Sequence, residues 1–235
     1  LFVVQRYGTN IAGGSEQCCR LFAEHLSSAG HQVEVATSCA KNYTDWSNEF
    51  QAGSERINDV LVHRFPVDRK RDGQRFSGID AAVVWGTHPV PLSAQELWVN
   101  EMGPRTTGLP KWLASDSSNY DIVIFFTYLY YTTIRGLPAV AGRTPTLFQP
   151  TAHLEPHLLV PIFDRLFRLP DGIAFLTVEE ASLVNQRFGH SAVEEVIGVG
   201  TDLSLSGDGN RFRSRHQIGN NPFLLYVGRV DPGKG

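Results

Sequence analysis

Three short stretches of this chain carry residue types whose spacing could do chemistry. The first is Gly13-Gly14-Ser15-Glu16, inside a loop that begins near Tyr7. Adjacent glycines let a backbone approach a ligand with no Cβ in the way. If a helix opens there, its first N–H groups and its positive dipole end form an anion site. The second is Gln149-Pro150-Thr151-Ala152-His153-Leu154-Glu155. A neutral imidazole at His153 can donate to a hydroxyl or take part in proton traffic, and Glu155 is the nearest acid. The third is Arg229 and Lys234, five residues apart on a glycine-bounded loop. A planar guanidinium fork beside a point charge suits a diphosphate. Each has an ordinary reading as well. The glycine pair can be a plain β–α turn, His153 a hydrogen-bonded core histidine, and the two cations an exposed surface turn.

Aromatic residues cluster beside these stretches. Tyr128, Tyr130 and Tyr131 follow an apolar run and serve packing more often than recognition. Tyr43, Trp46 and Asn48 lie in a polar loop, where burial is less obligatory and ligand contact is expected. Other chemistries are disfavoured. The eight histidines show no metal-ligand spacing, and no G-x-S-x-G elbow occurs. A dinucleotide fingerprint needs G-x-G-x-x-G and an acid at the tip of the second strand. Here Gly8, Gly13 and Gly14 are wrongly spaced, and the second strand ends Val35-Ala36-Thr37.

Composition bounds what can position these groups. The chain has 235 residues, 42% of them hydrophobic and 19% charged, enough for a sizeable core in one large domain or two smaller ones. A net charge of -3 gives no global reason to expect nucleic acid. Two adjacent cysteines (Cys18, Cys19) and a lone Cys39 make no disulfide framework, and fit reduced, buried thiols. No apolar run reaches the length of a membrane span. Both ends read as cut, since residue 1 opens inside an apolar run and Gly235 follows a glycine-rich turn.

The elements follow from hydrophobic periodicity. Residues 1–4 form a buried strand, and residues 15–30 a helix with Ser15 as N-cap. Strands follow at 32–37 and 59–67, with Pro66 marking an end or a sheet edge. Arg69-Lys70-Arg71-Asp72 is a solvated surface turn. Helical pieces lie around 93–102 and 109–115, and 120–126 is the clearest strand. A helix runs through Leu137, a strand spans 146–149, a helix 156–169, a strand 172–176, a helix 178–188 and a strand 193–197. Alternating strands and helices predict βαβ units and a parallel sheet. Residues 198–221 read as a polar linker with a short helix at 211–217, and 223–227 starts a new strand that does not join the first sheet. In an open parallel sheet ligands sit at the carboxyl ends of strands, which puts the loops at 13–16, 127–131 and 149–155 on one rim.

Taken in order, Gly13-Gly14-Ser15-Glu16, Ala29-Gly30-His31, Pro150-Thr151-Ala152-His153, Phe175-Leu176-Thr177 with Glu180, Val196-Ile197-Gly198-Val199-Gly200-Thr201-Asp202 and Tyr226-Val227-Gly228-Arg229 with Lys234-Gly235 resemble the N-terminal part of a retaining glycosyltransferase of family 4. The resemblance implies a GT-B fold. Residues 1–200 would be the acceptor-side Rossmann-like domain, 201–221 a linker, and 222–235 the start of a nucleotide-sugar domain. It implies transfer of a sugar from a UDP- or GDP-linked donor to a saccharide or lipid-linked acceptor, with retention and no required metal.

The resemblance also implies site roles. Gly13, Gly14, Arg229 and Lys234 would face the donor diphosphate. His153 would sit by the transferring sugar with Glu155 near it, and Glu16, Trp46, Asn48, Tyr128 and Tyr130 would meet the acceptor. Leu154 stands where many relatives carry Asp, which leaves Glu155 as the nearer acid. The family's donor-side carboxylates belong beyond Gly235, so the 235 residues alone are expected to be inactive. A cytoplasmic enzyme is implied, with peripheral contact at the inner face of the membrane allowed. The competing reading is a non-enzymatic sugar- or nucleotide-binding module.

Overall fold

The computed structural model describes residues 1–86, 89–190, 193–200 and 207–227. Its chain divides into two compact units, Leu1–Val199 and Gly200–Gly235. Among its described residues the first unit is built on eight strands: β1 (Phe2–Val3), β2 (Glu34–Ser38), β3 (Gly53–Ile57), β4 (Val60–Phe65), β5 (Val123–Phe126), β6 (Thr146–Gln149), β7 (Gly172–Phe175) and β8 (Glu194–Val196). They form one sheet in the order β3-β4-β2-β1-β5-β6-β7-β8. Every pairing is parallel except β3 with β4, an antiparallel hairpin at one edge. Among the described residues seven α-helices accompany it: α1 (Gly14–Ser28), α2 (Gly73–Val84), α3 (Leu92–Met102), α4 (Gly108–Asp116), α5 (Tyr131–Val140), α6 (Ile162–Leu166) and α7 (Val178–Phe188).

Alternation along the strands sorts the core into two layers. Phe2, Val4, Val35, Val60, Val62 and Phe126 pack with Cys18, Cys19 and Ala23 of α1. Leu1, Val3, Val123, Phe125 and Phe148 join the larger core with residues of α2 to α7, such as Trp98, Leu113, Leu137 and Phe163. Gly136 allows a close approach in that layer. A Cβ there would lie 2.9 Å from both Leu113 Cδ1 and Phe125 Cε1. The three cysteines are free and buried.

Several expected elements differ. The strand expected at 59–67 is the second arm of a hairpin whose first arm, β3, is polar and exposed along most of its length. Pro66 follows the end of β4, which is an interior strand. α2 has no clear apolar periodicity in sequence, and only Val83 and Val84 are buried on it. The helix expected at 156–169 is a 3-10 turn, Pro156–Leu159, followed by the short α6. Pro161 cannot donate to a continuing ladder, so it starts α6 instead. Ser15 does not cap α1. The N-cap is Gly13, and Ser15 Oγ donates to Glu16 Oε2.

The basic turn at 69–72 is not simply solvated. Arg71 donates to the carbonyls of Tyr43, Thr44 and Met102, and Arg69 pairs with the buried Glu101. In the second unit a short helix, α8 (Gly209–Arg215), is capped by Asp208. Residues 223–227 form no strand. A strand needs a neighbour for its N–H and C=O groups, and no strand pairs with this segment among the described residues.

Candidate functional site

The chain runs from β1 outward to β2 and β4, then returns to β5 on the other side of β1. That reversal makes the carboxyl ends of β1 and β5 a topological switch point, where open α/β sheets take ligands. The loop after β1 leads to Gly13 and Gly14, the loop after β5 to Tyr128 and Tyr130, and the loop after β6 to His153 and Glu155. Two of these loops leave their strands under strain. Thr127 (φ 66°) and Thr151 (φ 52°) are β-branched residues in the left-handed region, a conformation that costs about 1–3 kcal/mol and clusters at functional sites.

The two loop glycines differ. A Cβ on Gly13 would lie 2.1 Å from Glu16 Oε2 and 3.2 Å from Arg6 Nη2, whereas a Cβ on Gly14 would meet nothing within 4 Å. Gly13 therefore makes room for a buried ion pair. Arg6 Nε donates to Glu16 Oε1 at 2.9 Å and Nη2 to the same oxygen at 2.5 Å, and both side chains are buried. Arg6 also donates to Lys41 O and lies 5.3 Å from the Tyr43 ring centre. The Glu16 carboxylate thus folds back over the positive end of α1, and Arg6 balances its charge. The open face is at Gly14.

His153 is exposed and lines an open cleft of about 810 Å³ with Thr151, Leu176, Val178, Glu180 and Leu183. Glu180 builds the wall behind it. As the third residue of α7 it donates its N–H to the Thr177 cap, and its carboxylate accepts from Ala152 N at 2.6 Å and Leu176 N at 2.7 Å. One side chain thereby ties the β6 loop to the β7 loop beside His153. Burial pushes the Glu180 carboxyl above its usual range, and the two backbone N–H groups oppose that shift. Glu155 is half-buried. It accepts from Tyr128 Oη, and its other oxygen faces His157 Nδ1 at 3.7 Å. Burial would raise its pKa, but the contacts with His157 and Tyr128 outweigh that and hold it below the usual range.

The residues expected to meet an acceptor are mostly used internally. Trp46 is buried, with Nε1 donating to Met102 O at 2.7 Å and its ring edge-on to Tyr130 at 5.4 Å. A polar loop therefore does not leave this aromatic exposed, because the loop folds over it. Asn48 clamps Val67 through both its amide groups at 2.8 Å. Tyr128 packs edge-on to Phe163 at 4.8 Å, and burial pushes its phenol upward. Tyr130 is partly buried, and Glu16 is held by Arg6. Arg229 and Lys234 lie outside the described residues.

Sequence reasoning gives no site role to Arg6, Glu180 or His157. A cation three residues after a buried strand was a signal for Arg6, and Thr177-x-x-Glu180 has the spacing of a capping box. Among the described residues no group of three or more His, Cys, Asp and Glu is placed to hold a metal ion. No helix among them is long and apolar enough to cross a membrane.

No family model matches the chain, and no curated protein matches it in sequence. Solved structures do match it. One is the crystal structure of Anabaena HepE in complex with UDP and glucose, with a TM-score of 0.52 at 15% identity over 93% of this chain. The match covers 49% of HepE, so the chain spans about half that protein's length. The likeness shows an α/β fold with an open, mainly parallel, Rossmann-like sheet, consistent with GT-B.

Proposed function

We propose that this chain is the acceptor-side part of a glycosyltransferase that moves a sugar from a nucleotide-sugar donor, UDP- or GDP-linked, to a saccharide or lipid-linked acceptor. The observation that carries the reading is the shared fold with a protein solved holding UDP and glucose, the two halves of a nucleotide sugar. The rim geometry agrees with it. His153 stands in an open cleft beside an ionised carboxylate, and of the glycine pair after β1 it is Gly14, not Gly13, that has free space above it. An imidazole there can donate to a sugar hydroxyl, while Gly14 leaves room for a diphosphate or acceptor at the first turn of α1.

Retention of anomeric configuration, likeness to family 4 and independence from a metal belong to the same proposal, and rest on the sequence resemblance. So do the donor contacts of Arg229 and Lys234 and the boundaries at 200 and 221. The coverage of half of HepE favours a second reading for these 235 residues by themselves, namely binding without transfer.

The test is calorimetric titration with UDP- and GDP-sugars, paired with transfer assays on these residues and on any longer protein containing them. Arg229→Ala or Lys234→Ala should weaken donor binding about tenfold or more, since a charge-assisted hydrogen bond is worth about 1.5–3 kcal/mol. Gly14→Val should lower transfer at least about tenfold, roughly 1.4 kcal/mol of barrier. Binding of neither nucleotide nor sugar by any of these proteins would remove the proposal.

A further inference from the structure

A polar cluster behind the cleft is not explained by the reading above. His157 lies in the turn Pro156–Leu159. Its Nε2 is 3.1 Å from Asp80 Oδ1 of α2, and its ring stacks on Trp98 of α3 at 6.1 Å and 24°. Trp98 Nε1 donates to the same Asp80 oxygen at 2.8 Å. On the other side of the ring, Nδ1 faces Glu155 Oε2 at 3.7 Å, an ion-pair contact too long for a hydrogen bond, and Tyr128 Oη holds Glu155 Oε1. The indole thus orients Asp80, Asp80 orients the imidazole, and the imidazole faces the carboxylate two residues from His153. The side chains come from α2, α3, the β5 loop and the β6 loop. Arg71 bears on Asp80, His153 on Glu155 and Tyr130 on Tyr128.

The tautomer follows from this geometry. A carboxylate at Asp80 only accepts, so Nε2 must carry a hydrogen. A neutral ring would then present the bare Nδ1 lone pair to a second carboxylate. A proton on Nδ1 turns that repulsion into attraction.

We infer that His157 is a positioning residue: as an imidazolium between Asp80 and Glu155, it holds the Glu155 carboxylate in place beside His153. The inference rests on the reading of His153 and Glu155 as site residues. The surroundings agree, because contacts with Asp80 and Glu155 outweigh burial and raise the His157 pKa from 6.5 to about 9. A histidine that merely fills space would leave the ionisation of Glu155 unchanged.

The test is NMR titration of the 235-residue chain with labelled histidine rings and glutamate carboxyls, in the wild type, His157→Gln and Asp80→Asn. Both ring nitrogens of His157 should be protonated at pH 7. Asp80→Asn should move the His157 midpoint down, and His157→Gln should move the Glu155 midpoint up. A His157 that titrates near 6.5, or a Glu155 midpoint unchanged by His157→Gln, overturns the inference. Circular dichroism reports folding. If His157→Gln does not fold, the isosteric Asp80→Asn decides instead, and an unchanged Glu155 midpoint there also overturns it. A UDP-glucose titration separates this inference from the functional reading. A Glu155 midpoint that moves in His157→Gln, with no His153 resonance responding to UDP-glucose, upholds the positioning of Glu155 and counts against the nucleotide-sugar site. A His153 response with an unmoved Glu155 midpoint does the reverse.

Discussion

Gly13 and Gly14 are neighbours with opposite demands. A methyl on Gly13 would displace the Glu16 carboxylate, which is buried and tied to Arg6. Gly13→Ala should therefore destabilise the chain by about 1–3 kcal/mol, the usual cost of overpacking. Gly14→Ala meets open space within the first turn of α1, so it should be neutral or stabilise by up to about 1 kcal/mol. Urea denaturation of the two variants checks the contrast, and equal effects would mean that the loop is packed differently. His157 adds a pH dependence. Its pKa is raised on folding, so its contribution is complete below about 6.5 and disappears as the pH rises through about 9. Asp80 and Glu155 are lowered, Asp80 because the bonds from His157 and Trp98 outweigh its burial, and their share disappears as the pH falls through their depressed folded values. Because the three groups share one interaction, the alkaline loss should be no more than about 3 kcal/mol. Denaturation midpoints of wild type and His157→Gln, compared from pH 6 to pH 10, should converge at the alkaline end. A constant gap across that range would contradict the assignment.

At the scale of elements, α7 shows what the sequence makes legible. Its apolar spacing, the Thr177 cap and Gly189 after its last turn all mark the same helix, and the structure has it at Val178–Phe188. The strands β6 and β7 stand out equally well, because buried parallel strands read as short apolar runs. β3 does not, since Gly53-Ser54-Glu55-Arg56 lies on an exposed edge and has no apolar face to reveal it. The site follows the same division. Strand-end logic puts His153 and Glu155 on the rim, because topology alone decides that. The burial of Trp46 is not legible in its own loop, because it depends on Met102 and Tyr130, which are distant in sequence, and Asp80 and His157 are 77 residues apart. Thr177→Ala should cost about 1 kcal/mol through loss of the cap. Glu180→Gln keeps the shape but replaces one of two acceptor oxygens with a donor, leaving Ala152 N or Leu176 N unpaired, at about 1–3 kcal/mol. Hydrogen exchange at Ala152 and Leu176 should rise in Glu180→Gln, and unchanged protection there would mean that another group holds the two loops.

At the scale of the whole molecule, the two units differ in how much they bury. The sheet unit carries both core layers, whereas α8 has no buried residue and Leu224, Tyr226 and Val227 are largely exposed. Limited proteolysis should cut between residues 207 and 227 before it cuts the sheet unit, because exposed backbone without packing opens at little cost. First cleavage inside the sheet would contradict that order. The hairpin at one margin has a further consequence. β3 presents Glu55 and Arg56 outward, and at the opposite margin β8 opens with Glu194 and Glu195. Unpaired strand edges invite another chain to continue the ladder, and charged edges resist it. With charged residues at both margins, a partially unfolded population of this protein should resist growing into fibrils from either one.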